Sequence, residues 1–231
     1  MKKDKADHKG HRARLKARFL NEGLEHFADH NTLELLLFYA VPQRDTNGLA
    51  HALIAKFGSL SGVFDATYEE LLKIDGVGEN VATLIKLIPQ MARKYQISRQ
   101  SADMVLNTVE KAGAYLLPRF IGARVEIVLL LCLDGRKRLI SCEQIGEGTV
   151  SIAQTNTRRV VELALAHNAV SVILAHNHLS GNALPSQEDQ ITTLKLRAAL
   201  EGVGVILDDH IIVADDDFVS LAQSGFLMKR M

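Results

Sequence analysis

The apolar positions of this chain change their spacing near its middle. From about His11 to Tyr95 they recur every three or four residues, the period of one helix face. Leu33, Leu36, Leu37, Tyr39 and Ala40 form one stripe. Leu49, Leu53, Ile54 and Phe57 form another, closed by Gly58 where a C-cap belongs. Thr67 followed by Glu70 reads as a capping box opening a short helix. That helix is expected to stop at Ile74-Asp75-Gly76-Val77-Gly78. Another should run from Glu79 to about Tyr95, kinked or split at Pro89.

Beyond residue 100 the texture is different. Val125 to Leu133 is a nearly unbroken apolar run and predicts a buried strand, with a hairpin turn at Asp134-Gly135 and a return strand over Arg138 to Cys142. Thr157 to His167 predicts a helix with Val160, Val161, Leu163, Ala164 and Leu165 inward. Val170 to Ala175 predicts a second buried strand and Ser186 to Leu200 a further helix, while Val203 to Leu207 and Ile211 to Val213 are strand-like. Strands alternating with helices indicate a layered α/β structure. The reading is of two domains, a small all-helical one over 1–100 and an α/β one over 101–231, joined at the polar stretch Ser98 to Asp103.

Composition narrows the classes. The 231 residues suffice for a core, and the 47% hydrophobic content is that of a soluble globular chain. No apolar run is long enough for a bilayer, and Met1 to Arg18 lacks the apolar segment of a secretory signal. Cys132 and Cys142 form no Cys-x-x-Cys pair and read as reduced thiols of a cytoplasmic protein. With 27 basic and 27 acidic side chains the chain is not an electrostatic nucleic-acid binder overall. The first hundred residues nonetheless carry a net +3, from 15 basic and 12 acidic side chains. Most of that excess is the basic start, which either touches phosphates or is a solvated, frayed end.

The sharpest chemistry begins where the second buried strand ends, in Ala175-His176-Asn177-His178. Residues i and i+2 on a strand share a face, so His176 and His178 are expected side by side. A loop with Gly181 and Asn182 follows, then Pro185, then Ser186 opening a helix with Asp189 in its first turn. Two histidines and one carboxylate leave a fourth tetrahedral position, the arrangement of a catalytic zinc. A general base that is not a ligand is also required. Glu126, a lone carboxylate at the start of an apolar strand, is the first candidate and Glu143 the second. Ser186 alone is well explained as a helix cap and Asp189 by the helix dipole. It is the combination that points to a site. His210 reads as a supporting group more than as an extra ligand, and His167 as a helix-end residue.

At these residues the chain resembles the JAMM (MPN-plus) metalloprotease motif: an upstream Glu, His-x-His, a seven-residue gap from Leu179 to Pro185, then Ser-x-x-Asp. Over nearly its whole length it resembles the bacterial RadC family, through Gly10-His11-Arg12-Ala13-Arg14-Leu15, Ile74-Asp75-Gly76-Val77-Gly78 and Ala175-His176-Asn177-His178. The resemblance implies a JAMM-like α/β/α (cytidine-deaminase-like) C-terminal domain with one Zn2+ per chain on His176, His178 and Asp189. It further implies that Glu126 activates a bound water and that Ser186 helps stabilise the oxyanion. The family usually has proline where Leu179 stands, a departure that removes no ligand.

Residues 71–87 also resemble a helix-hairpin-helix, whose glycines let the backbone approach phosphate at a helix N-terminus. This copy is poor in charge, with only Lys73 and Lys86 nearby, so any contact with a DNA backbone is expected to be weak. The leading expectation is a zinc metallopeptidase or isopeptidase acting on a protein or peptide. The alternative is a DNA-associated repair module whose metal site acts on nucleic acid or is non-catalytic.

Overall fold

The computed structural model describes residues 3–100, 104–148 and 157–227. The chain forms two compact units, Met1–Ala92 and Arg93–Met231. The first is helical: α1 (Lys3–Glu22), α2 (Asp29–Ala40), α3 (Asn47–Phe57), α4 (Leu60–Asp65), α5 (Tyr68–Leu72) and the larger part of α6 (Glu79–Ser98). Leu33, Leu37, Leu53, Leu71 and Ile85 are fully buried at its centre. The expected punctuation is present. Gly58 ends α3 at φ 84°, and Thr67 and Glu70 form the capping box of α5.

Three expectations change in this unit. Tyr39 is not part of the core stripe but lies exposed beneath Lys16, while Leu35 and Phe38 bury a second face of α2 against Leu15 of α1. Pro89 does not split α6, which runs unbroken through it; the lost N–H removes one rung of a helix anchored at Val81, Ala82 and Ile85. The basic start is helical from Lys3, and part of its charge is spent internally. Arg12 donates to the carbonyls of Val41 and Pro42, each at 2.7 Å, and to that of Arg44, with its guanidinium over the Phe38 ring. Next to it the fully buried Glu34 carboxylate lies 2.9 Å from His11 Nε2 and accepts from Asn47 Nδ2 at 3.0 Å.

The second unit is a three-layer α/β/α sandwich. Its elements are α7 (Val109–Phe120), β1 (Ile127–Leu133), β2 (Leu139–Glu147), α8 (Thr157–Ala166), β3 (Ser171–Asn177), α9 (Gln187–Glu201), β4 (Ile206–Ala214) and β5 (Asp217–Ser220). The sheet order is β2-β1-β3-β4-β5, with β3 and β4 parallel and the other neighbours antiparallel. Alternation sorts the strand residues. Val128, Leu130, Cys132, Val172 and Leu174 meet α8 and α9, while Leu129, Leu131, Ile173, Ala175 and Ile211 meet α7. Sheet faces covered on both sides explain why β1 and β3 read as continuous apolar runs.

Strand ends and one helix depart from the sequence pattern. The segments expected at Val203–Leu207 and Ile211–Val213 merge into one strand, β4, which begins only at Ile206, Val203 lying in the turn before it, and has an irregularity in its pairing to β3 next to Asp208. Polar residues interrupt its apolar pattern, but Asp209 and His210 are buried and hydrogen-bonded. The return strand β2 continues to Glu147. The turn before it places its left-handed residue at Lys137, φ 61°, with Asp134 Oδ1 accepting from the N–H groups of Arg136 and Arg138. Helix α7, capped by Thr108, carried Gly113 and Pro118 and was not expected. Part of the expected linker, residues 101–103, lies outside the described residues. Among the described residues no helix is long and apolar enough to cross a membrane.

Candidate metal centre

Three elements bring the predicted ligands together. β3 carries His176 at its penultimate position, and His178 follows its end, held by its N–H to the Val213 carbonyl at 2.8 Å. The loop then turns back through Gly181, φ 71°. Ser186 opens α9 with a reciprocal capping box: its Oγ accepts from Asp189 N–H at 3.1 Å, and Asp189 Oδ2 accepts from Ser186 N–H at 2.7 Å. The cap fixes the Asp189 carboxylate toward the histidines. Asp189 Oδ1 is 3.3 Å from His176 Nε2, and Oδ2 is 3.4 Å from His178 Nε2. The two Nε2 atoms are 3.0 Å apart. Among the described residues these three are the group able to hold a metal ion.

The tautomers follow from acceptors that cannot donate. His178 Nδ1 is 2.9 Å from the Asn182 carbonyl, so Nδ1 carries the proton and, in the neutral ring, Nε2 is bare. On the other side, Thr193 Oγ1 donates to the Asp189 carbonyl at 2.6 Å and must therefore accept from His210 Nδ1, also at 2.6 Å. His210 Nε2 is then bare and accepts from His176 Nδ1 at 2.9 Å, which leaves His176 Nε2 bare. Two lone pairs and a carboxylate converge on one region, an arrangement suited to a cation. A proton on one imidazole answers part of it, and a divalent ion answers all three groups. Donors held at about 2.0–2.1 Å in a zinc tetrahedron lie about 3.3 Å from each other; here the two Nε2 atoms are 3.0 Å apart and each lies 3.3–3.4 Å from a different oxygen of Asp189, a group close enough to hold a metal ion.

The electrostatics agree. Where a proton takes the place of that cation, on His176 or His178 Nε2, burial opposes ionisation of Asp189, but hydrogen bonds from the protonated imidazoles and from Ser186 outweigh it and hold its carboxyl well below the usual range. The hydrogen bond to Asp189 raises the His178 pKa against the effect of burial, with the Asn182 carbonyl and the charges of Asp189 and Glu126 adding to it. His210, fully buried, is driven well below its ordinary value by desolvation and then by His176, so it is neutral.

Glu126 immediately precedes β1, one residue earlier than the start of an apolar strand suggested. It lines a cavity of about 270 Å3 together with His178, Leu179, Ser180, Ser186, Glu188 and Asp189. Glu143 is placed elsewhere, on β2, with its carboxylate 3.2 Å from His167 Nε2. The Ser186 hydroxyl donates to Asp189 Oδ2 at 2.7 Å, so in this geometry it orients the carboxylate. His210 supports His176 and is not one of the converging donors.

Sequence reading missed three participants. Asn177 grips the backbone around Glu126, with Oδ1 accepting from Ile127 N–H at 2.7 Å and Nδ2 donating to the Val125 carbonyl at 3.2 Å. Thr193 and the Asn182 carbonyl set the two tautomers. Thr193 alone left a trace, as a hydroxyl residue one helical turn after Asp189.

Comparison with known proteins agrees with this architecture. Residues 106–226 match the RadC-like JAB domain and residues 59–88 the helix-hairpin-helix motif. JAB-type domains are of the metal-dependent hydrolase kind. A UPF0758 protein of Fusobacterium nucleatum is 31% identical over 228 residues, covering 96% of this chain and 98% of that protein. UPF0758 proteins of Paraburkholderia xenovorans and Ruegeria pomeroyi are 35% and 34% identical, covering 90% and 94% of this chain and 83% and 97% of theirs. A helical unit with a helix-hairpin-helix, followed by a JAB-type sandwich with its His-x-His and Asp group assembled, makes this chain a member of the UPF0758 (RadC) family.

Proposed function

We propose that this protein is a zinc-dependent hydrolase of the metallopeptidase or isopeptidase kind, with one Zn2+ held by His176, His178 and Asp189. The observation that carries the reading is the pair of bare Nε2 atoms, 3.0 Å apart and facing the Asp189 carboxylate, their tautomers fixed independently by two carbonyl groups. Zinc, when bound, supplies a water whose pKa is lowered to about 7 and a Lewis acid for the substrate carbonyl. Glu126, which lines the same cavity as His178 and Asp189, would be the group to take a proton from water there and pass it to the leaving amine nitrogen. Asn177 holds the backbone on either side of that carboxylate. The cavity favours an amide over a phosphodiester. Among its described lining residues are the carboxylates of Glu126, Glu188 and Asp189, with no lysine or arginine to receive phosphate charge. Two unpaired thiols, Cys132 and Cys142, suit the cytoplasm as its place of action.

The test is the metal content of purified wild type and His178→Ala, followed by hydrolysis of peptide and isopeptide substrates by wild type and Glu126→Gln. The expected result is near one zinc per chain in the wild type, loss of zinc in His178→Ala, and retained zinc without turnover in Glu126→Gln. A folded wild type that takes up no zinc overturns the reading.

A second reading concerns the helical unit alone and rests on the helix-hairpin-helix match. Gly76, φ 86°, makes the turn into the N-terminus of α6, a geometry able to receive a phosphate. We propose weak, sequence-independent contact with a DNA backbone through residues 71–87 and the basic start. Lys86 donates to the carbonyls of Phe64 and Ala66, and Arg12 is likewise engaged inside the unit, which keeps the expected affinity low. A gel shift that weakens with salt and is lost in Gly76→Val supports it. No shift at low salt rejects it.

A further inference from the structure

Resting on the metal reading above, one feature reaches beyond the three donors. A zinc-binding imidazole usually leans on a carboxylate, a backbone carbonyl or water, and the first two can only accept. Here His176 leans on a second imidazole, His210, which can donate or accept at either nitrogen. Such a partner fixes nothing until its own proton is assigned. The assignment comes from further along: the Asp189 carbonyl accepts from Thr193 Oγ1 at 2.6 Å, and Thr193 Oγ1 lies 2.6 Å from His210 Nδ1. Both Thr193 and His210 are fully buried, so no solvent competes for these bonds.

We propose that Thr193 and His210 are positioning residues that lock His176 in its Nδ1–H tautomer and thereby set the zinc affinity of the site. The relay starts on the main chain of one donor residue, Asp189, and ends on the ring of another, His176. Thr193 stands one turn after Asp189 on α9, and His210 stands on β4, beside the β3 strand that carries His176. The placement ties the helix that supplies the carboxylate to the strand that supplies the imidazole. With the Thr193 hydroxyl removed, His210 Nδ1–H has no acceptor, the opposite tautomer gains population, and His176 is driven toward a proton on Nε2, the atom that must stay bare.

The experiment measures zinc dissociation constants by competition with a chromophoric chelator for wild type, Thr193→Val, Thr193→Ser and His210→Phe. Long-range 1H–15N spectra of the imidazoles report the tautomers without metal. Removing such a support typically weakens metal binding about 10–100-fold, so that loss is expected for Thr193→Val and His210→Phe, while Thr193→Ser stays within about threefold of wild type. Wild-type His176 is expected to show its proton on Nδ1, and Thr193→Val a mixture. Should His210→Phe fail to fold, the nearly isosteric Thr193→Val still decides. Wild-type zinc affinity in Thr193→Val, or equal losses in the serine and valine variants, overturns the relay and leaves the metal reading standing. A wild type that binds no zinc sinks both.

Discussion

The side-chain amide of Asn177 brackets Glu126. It accepts from the N–H of Ile127 and donates to the carbonyl of Val125, so the residue between the two histidines of His-Asn-His holds the backbone of the carboxylate proposed as the base. His176 and Asn177 point to opposite sides of β3, one to the metal group and one to the edge of β1. In Asn177→Ala the buried Ile127 N–H loses its acceptor, a loss of about 1–3 kcal/mol. The expected outcome is faster amide hydrogen exchange at Ile127, unchanged zinc content, and reduced turnover on any substrate that the wild type cleaves. Exchange at Ile127 equal to wild type defeats the claim.

Ser186 separates a structural from a chemical contribution. Its Oγ caps α9, and its proton goes to Asp189 Oδ2. Ser186→Ala should lower stability by about 1 kcal/mol through the lost cap. Asn caps helices as well as Ser but has no hydroxyl, so Ser186→Asn should recover most of that stability. Denaturant midpoints check the cap. If Ser186→Asn is stable yet turns over substrate slowly, the hydroxyl acts in the reaction; if its turnover matches wild type, the oxyanion role is excluded.

The donors were legible because each obeys a local rule. His176 and His178 follow the two-residue period of a strand, and Ser186 with Asp189 follows a helix-start pattern. The supports obey no such rule. Asn177 acts on a strand met fifty residues earlier, visible only once β1 and β3 pair. His210 reads as a supporting group, but its partner was not legible: it lay inside Asp208-Asp209-His210, a polar run that argued against a strand. It is a strand because those buried groups find partners, which no periodicity records. Helix α7 was hidden for a related reason: Gly113 and Pro118 are poor helix residues, outweighed by burial of Ala112, Tyr115, Leu116 and Phe120.

Gly113 has its own reason to be glycine. A Cβ there would stand 2.3 Å from Phe218 Cζ, so α7 meets β5 at a distance only a hydrogen allows. Overpacking of this kind costs about 1–3 kcal/mol, and Gly113→Ala should lower the denaturation midpoint accordingly, despite the better helix propensity of alanine. Pairing it with Phe218→Leu should recover part of the loss. Equal stability of Gly113→Ala and wild type would mean that the ring moves aside freely.

Asp209 gives the fold a pH signature separate from the metal donors. Burial raises its pKa, opposed by the Ser220 hydroxyl and the N–H groups of Ala222 and His210, while the charge of Asp208 raises it further. A folded pKa above the unfolded value of about 3.9 means that the folded state binds the proton more tightly. The stability due to protonation is therefore present below about pH 4 and is lost as pH rises through the folded value. At neutral pH the wild type carries the cost of an ionised buried carboxylate. Asparagine keeps the shape, can accept from the Ala222 N–H and can donate to Ser220, without that charge. Asp209→Asn is thus expected to be more stable than wild type at pH 7, with the difference vanishing toward pH 4, as read from urea midpoints at both values. A variant less stable than wild type at pH 7 would show that the hydrogen bonds made by the carboxylate outweigh the cost of burying it.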